Sequence, residues 1–144
     1  MDLIANLATG FGVALTPANL GFCFLGALIG TLVGVLPGIA PITTIAILLP
    51  FTFSLPPTSS LIMLAGIFYG AQYGGSTTAI LVNIPGEISS VVTCIDGYQM
   101  ARRGRAGPAL AISAIGSFIG GCVATVLVAA AAPLGVWLAG QLFH

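Results

Sequence analysis

Between Asp2 and Glu87 the chain carries no Asp, Glu, Lys, Arg or His. One membrane span needs about 20 consecutive apolar residues, so an uncharged run of this length holds several. A second uncharged stretch follows from Ala106 to Phe143. Overall 58% of residues are hydrophobic and 4% charged, against about 45–50% and about 25% in an ordinary soluble domain. These patterns exclude a water-soluble fold and predict an all-α, polytopic transmembrane helix bundle bathed in membrane lipid.

The few charges are informative by position. Arg102, Arg103 and Arg105 sit in one short segment, and the formal net charge is zero, which removes nucleic acid as a partner. Short Arg-rich loops stay on the cytoplasmic side, so this segment is expected there; gripping a carboxylate is the alternative use of the same side chains. The N-terminus, Met1-Asp2-Leu3, lacks the basic region of a secretory signal and is expected to be retained. Cys23, Cys94 and Cys122 have no metal-ligand or paired spacing and read as small packing residues. The chain stops at His144 inside an apolar stretch, which predicts a fragment of a longer protein.

Catalysis is not expected. There is no lysine, so a phosphate-binding loop ending in Gly-Lys-Ser/Thr is absent. The one histidine, His144, is terminal, and Glu87 and Asp96 share one polar segment without the pairing an aspartyl protease needs. Both carboxylates read as caps of helix ends, ligands of loop amides or water-facing groups, with direct work on a substrate or ion as the alternative. No cofactor is expected beyond a coupling Na⁺ or H⁺.

Breaker residues divide the chain. Residues 3–13 suit an interfacial helix, and a first span covers about residues 19–36. Pro37-Gly38-Ile39-Ala40-Pro41 should end it. Residues 42–55 form a short arm, since some 14 helical residues reach roughly 21 Å against about 30 Å of hydrocarbon. A span over about 59–82 is expected to be interrupted at Gly74-Gly75, and a polar extramembrane loop to run over about 85–106. A further span follows over about 107–132. Pro133 marks a turn into an incomplete span over 134–144, with Trp137 as an interface anchor.

Glycine spacing predicts which faces pack. Gly26, Gly30, Gly34 and Gly38 recur every four residues, as do Gly66, Gly70 and Gly74. Lipid solvates leucine as well as a neighbouring helix does, so helices associate where small residues let backbones approach. Gly116, Gly120 and Gly121 carry the same expectation. Two stretches, Gly34 to Pro41 and Tyr73 to Gly86, place breakers beside apolar sequence, and in lipid such breaks survive only inside protein or along a watered cavity. Freed backbone groups and the side chains of Ser76, Thr77, Thr78 and Asn83 can then hold an anion or Na⁺. Equally, the hydroxyls can satisfy their own helix backbone.

The motifs Gly34-x-x-Pro37-Gly38-x-x-Pro41, Tyr73-Gly74-Gly75-Ser76-x-Thr78-Ala79-Ile80-Leu81 with Asn83-x-Pro85-Gly86, and Asp96-Gly97-Tyr98-x-Met100-Ala101 leading into Gly104-Arg105-Ala106-Gly107-Pro108 resemble the large membrane subunit of the tripartite tricarboxylate transporters, the TctA type. The resemblance runs over about residues 15–135, with Ala40 where the family more often has glycine; family members are several times longer. It implies a permease of the bacterial inner membrane, partnered by a small membrane subunit and a periplasmic solute-binding protein. It also implies secondary, cation-coupled uptake of tricarboxylates or related carboxylates, with Pro37, Gly38, Gly74, Gly75, Ser76, Thr78, Asn83, Pro85 and Gly86 along the transport path. The competing reading is a non-transporting scaffold whose glycine faces merely dock helices.

Overall fold

The structure is a computed structural model that describes residues 3–39 and 41–142; the side chains of residues 3, 136–139 and 142 are outside that description. Ala40, His144 and the Trp137 side chain therefore lie outside the described residues. The secondary structure is helical, with no strand among those residues. The helices are α1 (Leu3–Ala14), α2 (Pro17–Gly34), α3 (Pro41–Thr52), α4 (Pro57–Val82), α5 (Val91–Arg102) and α6 (Ala106–Leu142), with a single 3₁₀ turn, Ile88–Ser90, before α5. The chain forms two compact units, Met1–Leu110 and Ala111–His144.

The first unit is organised by α2 and α4, which pack in parallel. A Cβ on Gly26, Gly30 or Gly34 would run into the backbone carbonyl of Met63, Ile67 or Ala71 respectively. From the other side, a Cβ on Gly66 would lie 2.6 Å from the Cys23 oxygen, one on Gly70 would strike the Ala27 oxygen, and one on Gly74 would lie 2.5 Å from the Thr31 oxygen. Partners rise together along both helices, which fixes the parallel sense. Gly26, Gly30, Gly34, Gly66, Gly70 and Gly74 thus face backbone, as their spacing predicted, whereas Gly38, expected on the same face, lies beyond α2 in open space. Contacts of the Cα–H···O type at such an interface contribute about 0.5–1 kcal/mol each, against about 0.5–1 kcal/mol lost per glycine in helix propensity. Ile67, Ala71, Ala79 and Ile80 make up the small apolar core beside the pair.

A polar clasp fixes the lower end of this pair. Ser59 Oγ donates to Asn19 Oδ1 at 2.6 Å, and Asn19 Nδ2 donates to the Val13 carbonyl at 2.8 Å. Both Asn19 and Ser59 are buried, so each supplies the partner without which the other would be an unsatisfied buried polar group.

Because α2 and α4 start at the same end, the chain between them must travel back the whole length of α2. At 1.5 Å per residue α2 rises roughly 27 Å and α3 roughly 18 Å, from 18 and 12 residues. The non-helical residues on either side of α3 supply the rest. At 12 residues α3 is too short to make the return alone. Its entry is the turn Leu36-Pro37-Gly38-Ile39, closed by Ile39 N–H donating to the Leu36 carbonyl at 3.3 Å. Proline in the second position and Gly38 at φ 91° in the third are the residues a type II turn requires. At the exit, Ser60 Oγ donates to the Thr52 carbonyl at 2.8 Å.

Three expectations are corrected. Gly74-Gly75 does not interrupt α4, which is continuous over 26 residues; close neighbours on two sides use these glycines for approach, and a break in an apolar setting would free backbone groups at several kcal/mol apiece. The polar stretch 85–106 is not a loop but mostly the 3₁₀ turn and α5. The latter ends in a Schellman motif, with Arg105 N–H donating to the Met100 carbonyl at 3.0 Å, Gly104 N–H donating to the Ala101 carbonyl at 3.0 Å and Gly104 at φ 75°, the left-handed conformation favouring glycine. Finally, α6 runs through Pro133 without a turn. A proline removes one hydrogen bond, whereas a turn within apolar sequence would free several.

Among the described residues, two helices are long and apolar enough to cross a membrane, Pro17–Gly34 and Ala106–Gly135. Within the second unit, Gly116 and Gly120 lie on an exposed helix surface.

Candidate functional site

The break expected within α4 occurs at its end instead. Asn83 closes α4 in the left-handed conformation, φ 61°, a geometry that asparagine tolerates better than most residues. The chain then folds back along α4. Gly86 is buried, and a Cβ there would lie 2.5 Å from Gly75 Cα and 3.2 Å from the Gly34 carbonyl oxygen. Three residues on, Ser89 Oγ accepts from Gln72 Nε2 at 2.9 Å. Gly75 and Gln72 lie roughly 10 and 15 Å back from Val82 along the α4 axis, at 1.5 Å per residue. Next, α5 climbs again, and a Cβ on Gly97 would press on Ile80 Cγ1 at 2.7 Å. Residues 83–102 are therefore a re-entrant segment: down α4 as irregular chain, back up as helix.

On its outer surface Ile84, Val91, Val92 and Ile95 are exposed, and Ile88 is 93% exposed. The polar side chains Asp96, Gln99, Arg102 and Arg103 follow towards the upper end of α5.

Two helix ends therefore meet against the C-terminal third of α4: the C-terminus of α2 and the start of the 3₁₀ turn leading into α5. Thr78 Oγ1, 5% exposed, donates to the Val35 carbonyl at 2.8 Å and to its own helix at Gly74, 3.3 Å. At the other helix end, Glu87 forms a capping box: its side chain accepts from the Ser90 backbone N–H, while Glu87 N–H donates to Ser90 Oγ at 3.2 Å. Ser89 Oγ donates to Glu87 Oε1 at 2.7 Å. Gln72, Ser89 and Glu87 thus form one hydrogen-bonded line at this level. Among the described residues no group of His, Cys, Asp and Glu is placed to hold a multivalent metal.

The Tripartite tricarboxylate transporter TctA family matches the chain over residues 20–143. This chain belongs to that family. It is also 71% identical, over 133 residues, to an uncharacterized 52.8 kDa protein in the TAR-I ttuC' 3' region of Agrobacterium vitis. The match covers 92% of this chain and 26% of that protein, so the chain spans about a quarter of the relative's length. No solved structure matches. A TctA membership and helices of membrane-crossing length make this a membrane component of a transporter family.

Within this TctA chain the structure gathers some of the residues singled out from sequence and disperses others. Gly74, Gly75, Thr78 and Gly86 converge with Gly34 and Val35. Ser76 Oγ donates to the Gln72 carbonyl at 3.3 Å and Thr77 Oγ1 to the Tyr73 carbonyl at 3.1 Å; both hydroxyl protons are used by their own helix. Asn83 and Pro85 are exposed at the turn-around. Pro37 and Gly38 are exposed, and Gly38 has open space around it. Sequence reasoning missed Gln72 and Ser89 and placed Glu87 in an outside loop. The available signals were that Glu87 is the first charge after the uncharged run and Gln72 the one amide side chain in α4.

Proposed function

We propose that this chain is the N-terminal part of the permease subunit of a tripartite transporter of the bacterial inner membrane, a multi-pass protein that takes up tricarboxylates or related carboxylates, driven by a cation gradient. The observation carrying the reading is the meeting of two helix ends and a folded-back segment against the C-terminal third of α4. Helix ends give secondary transporters their sites, because N–H and C=O groups there that no side chain caps can replace the hydration of a solute or ion. Pro37, Gly38, Gly74, Gly75, Ser76, Thr78, Asn83, Pro85 and Gly86 are the stretch proposed to border the path. Of these, Gly74, Gly75 and Gly86 let backbone approach, and Thr78 retains acceptor capacity.

The partners proposed are a small membrane subunit and a periplasmic binding protein that captures the solute. A scaffold without transport activity is the competing reading, favoured only by the use of most glycines in plain helix docking.

The test is solute uptake by the full-length complex, with and without an imposed sodium or proton gradient, normalised to assembled protein. The reading expects gradient-dependent accumulation, with apparent affinity lowered roughly 5- to 150-fold, about 1–3 kcal/mol, by loss of a buried hydrogen-bonding partner at the site. Unchanged affinities for Ser76→Ala, Thr78→Val and Asn83→Ala alike would remove those side chains from the site. Absence of uptake by the complete complex would favour the scaffold.

A further inference from the structure

The side of α5 turned away from α4 carries a graded surface. Gly97 is buried against Ile80 of α4. At 3.6 residues per turn, Val91, Val92, Ile95, Gln99, Arg102 and Arg103 fall on the opposite half of the helix, and all six are exposed. The early part of this face is apolar, with Ile88, Val92 and Ile95 each more than half exposed. Its last turn is basic, and Arg105, also exposed, follows the Schellman turn at Gly104. These guanidinium groups are the chain's only Lys or Arg side chains, and among the described residues no carboxylate pairs with them. Glu87 is held in its capping box, and Asp96 is roughly 9 Å back along the helix axis from Arg102. Three like charges so close in the chain repel one another unless anions answer them. Directly after Arg105 begins the apolar stretch Ala106–Gly135, long enough to cross a membrane.

We infer that this face of α5 binds an anionic phospholipid, its phosphate held by Arg102, Arg103 and Arg105 and its acyl chains laid along Ile88, Val92 and Ile95. The spacing of the two chemistries selects a lipid. Between Val92 and Arg102 the helix rises roughly 15 Å, half of a hydrocarbon core of about 30 Å, so the apolar and basic ends stand apart as acyl chain and headgroup do in one leaflet. Basic clusters beside a membrane span attract anionic headgroups, and the planar guanidinium matches phosphate oxygens two at a time. A soluble carboxylate would use the charges and leave the apolar strip unanswered. It would also find them on the side of α5 away from the α4 residues proposed to border the path. Lipid binding here is independent of which solute is carried.

The experiment uses the full-length complex, cysteine-free except for Val92→Cys labelled with bimane, in nanodiscs of equimolar phosphatidylcholine and phosphatidylglycerol. One lipid or the other carries brominated acyl chains, which quench the label on contact. Both should quench, and brominated phosphatidylglycerol several-fold more efficiently. A basic residue near an anionic surface contributes about fivefold in affinity, so Arg103→Gln should cut the preference by up to about that factor. Replacing all three arginines by glutamine should abolish the preference while leaving quenching by phosphatidylcholine, and replacing all three by lysine should retain most of it. In detergent, phosphatidylglycerol should raise the melting midpoint of the complex by mass action, less so at high salt, and phosphatidylcholine should not. Should the glutamine variant fail to assemble, the preference without it and in the lysine variant still decides. Quenching by neither lipid means that protein covers the face, and overturns the inference. Equal quenching by both overturns it too, leaving the arginines only their part in orientation. So does loss of the preference on adding citrate at constant ionic strength, because the arginines would then hold a soluble carboxylate.

Discussion

Replacing Gly70 by alanine tests the parallel α2–α4 pair at one of its close backbone contacts. The new Cβ would strike the Ala27 carbonyl oxygen and lie 2.8 Å from Thr31 N and 3.0 Å from Ala27 C. Ordinary contact between such atoms begins near 3.5 Å, so the helices must part by about 1 Å, a gap that forfeits a quarter to a half of each neighbouring dispersion contact. Overpacking of this kind costs about 1–3 kcal/mol, and one or two lost Cα–H···O contacts add about 0.5–1 kcal/mol each. Alanine's helix propensity returns about 0.5–1 kcal/mol. The net expectation is about 2–4 kcal/mol of destabilisation. Gly75 in the same helix is the control. Its Cβ would meet Glu87 Cγ and Gly86 Cα at 3.5 Å and Gly86 C at 3.7 Å, which is ordinary contact, so Gly75→Ala should be neutral or slightly stabilising. Thermal unfolding of the detergent-solubilised full-length complex, read by the fraction remaining monodisperse, ranks the two. If Gly70→Ala melts with wild type, or above Gly75→Ala, the backbone-on-backbone packing described here is wrong.

Thr78→Val should cost about 1–2 kcal/mol, because the Val35 carbonyl loses an interhelical donor, whereas Thr77→Val, whose hydroxyl serves only its own helix, should stay within about 0.5 kcal/mol; the same melts read both. Asn19→Ala and Ser59→Ala should each cost about 1–3 kcal/mol by stranding a buried partner, and a double-mutant cycle should return a coupling above about 0.5 kcal/mol; zero coupling would deny the clasp. Asn83→Gly should be tolerated and Asn83→Ala destabilising by about 1 kcal/mol, since only the left-handed backbone is at stake; equal losses with altered solute affinity in both would instead make the side chain a ligand. A single cysteine at Gln99, in a cysteine-free background, should resist a membrane-impermeant maleimide in intact spheroplasts and react after lysis. Rapid labelling from outside would reverse the orientation assigned from the arginines.

What composition determined was the solvent. A run without charge from Leu3 to Gly86 leaves only structures that satisfy their own backbone, and helices follow. Periodicity determined which faces pack, because a glycine every fourth residue is one face of a helix whatever its partner, and Pro37-Gly38 located the end of α2 through local turn chemistry. Which helix receives which face is a long-range matter, and only the tertiary structure pairs α2 with α4 in parallel. From that pairing comes the need for residues 35–56 to return the full length. The fate of Gly74-Gly75 shows the limit most directly. A glycine pair in an apolar run reads equally as a break or as a saddle for another segment, since both need the missing side chain. Gly34 and Gly86, distant in sequence, settle it as a saddle by occupying the space. The same tertiary event brings Glu87 from an expected loop to the flank of α4 beside Gly75, because a polar residue's place depends on where its neighbours pack and not on its own identity.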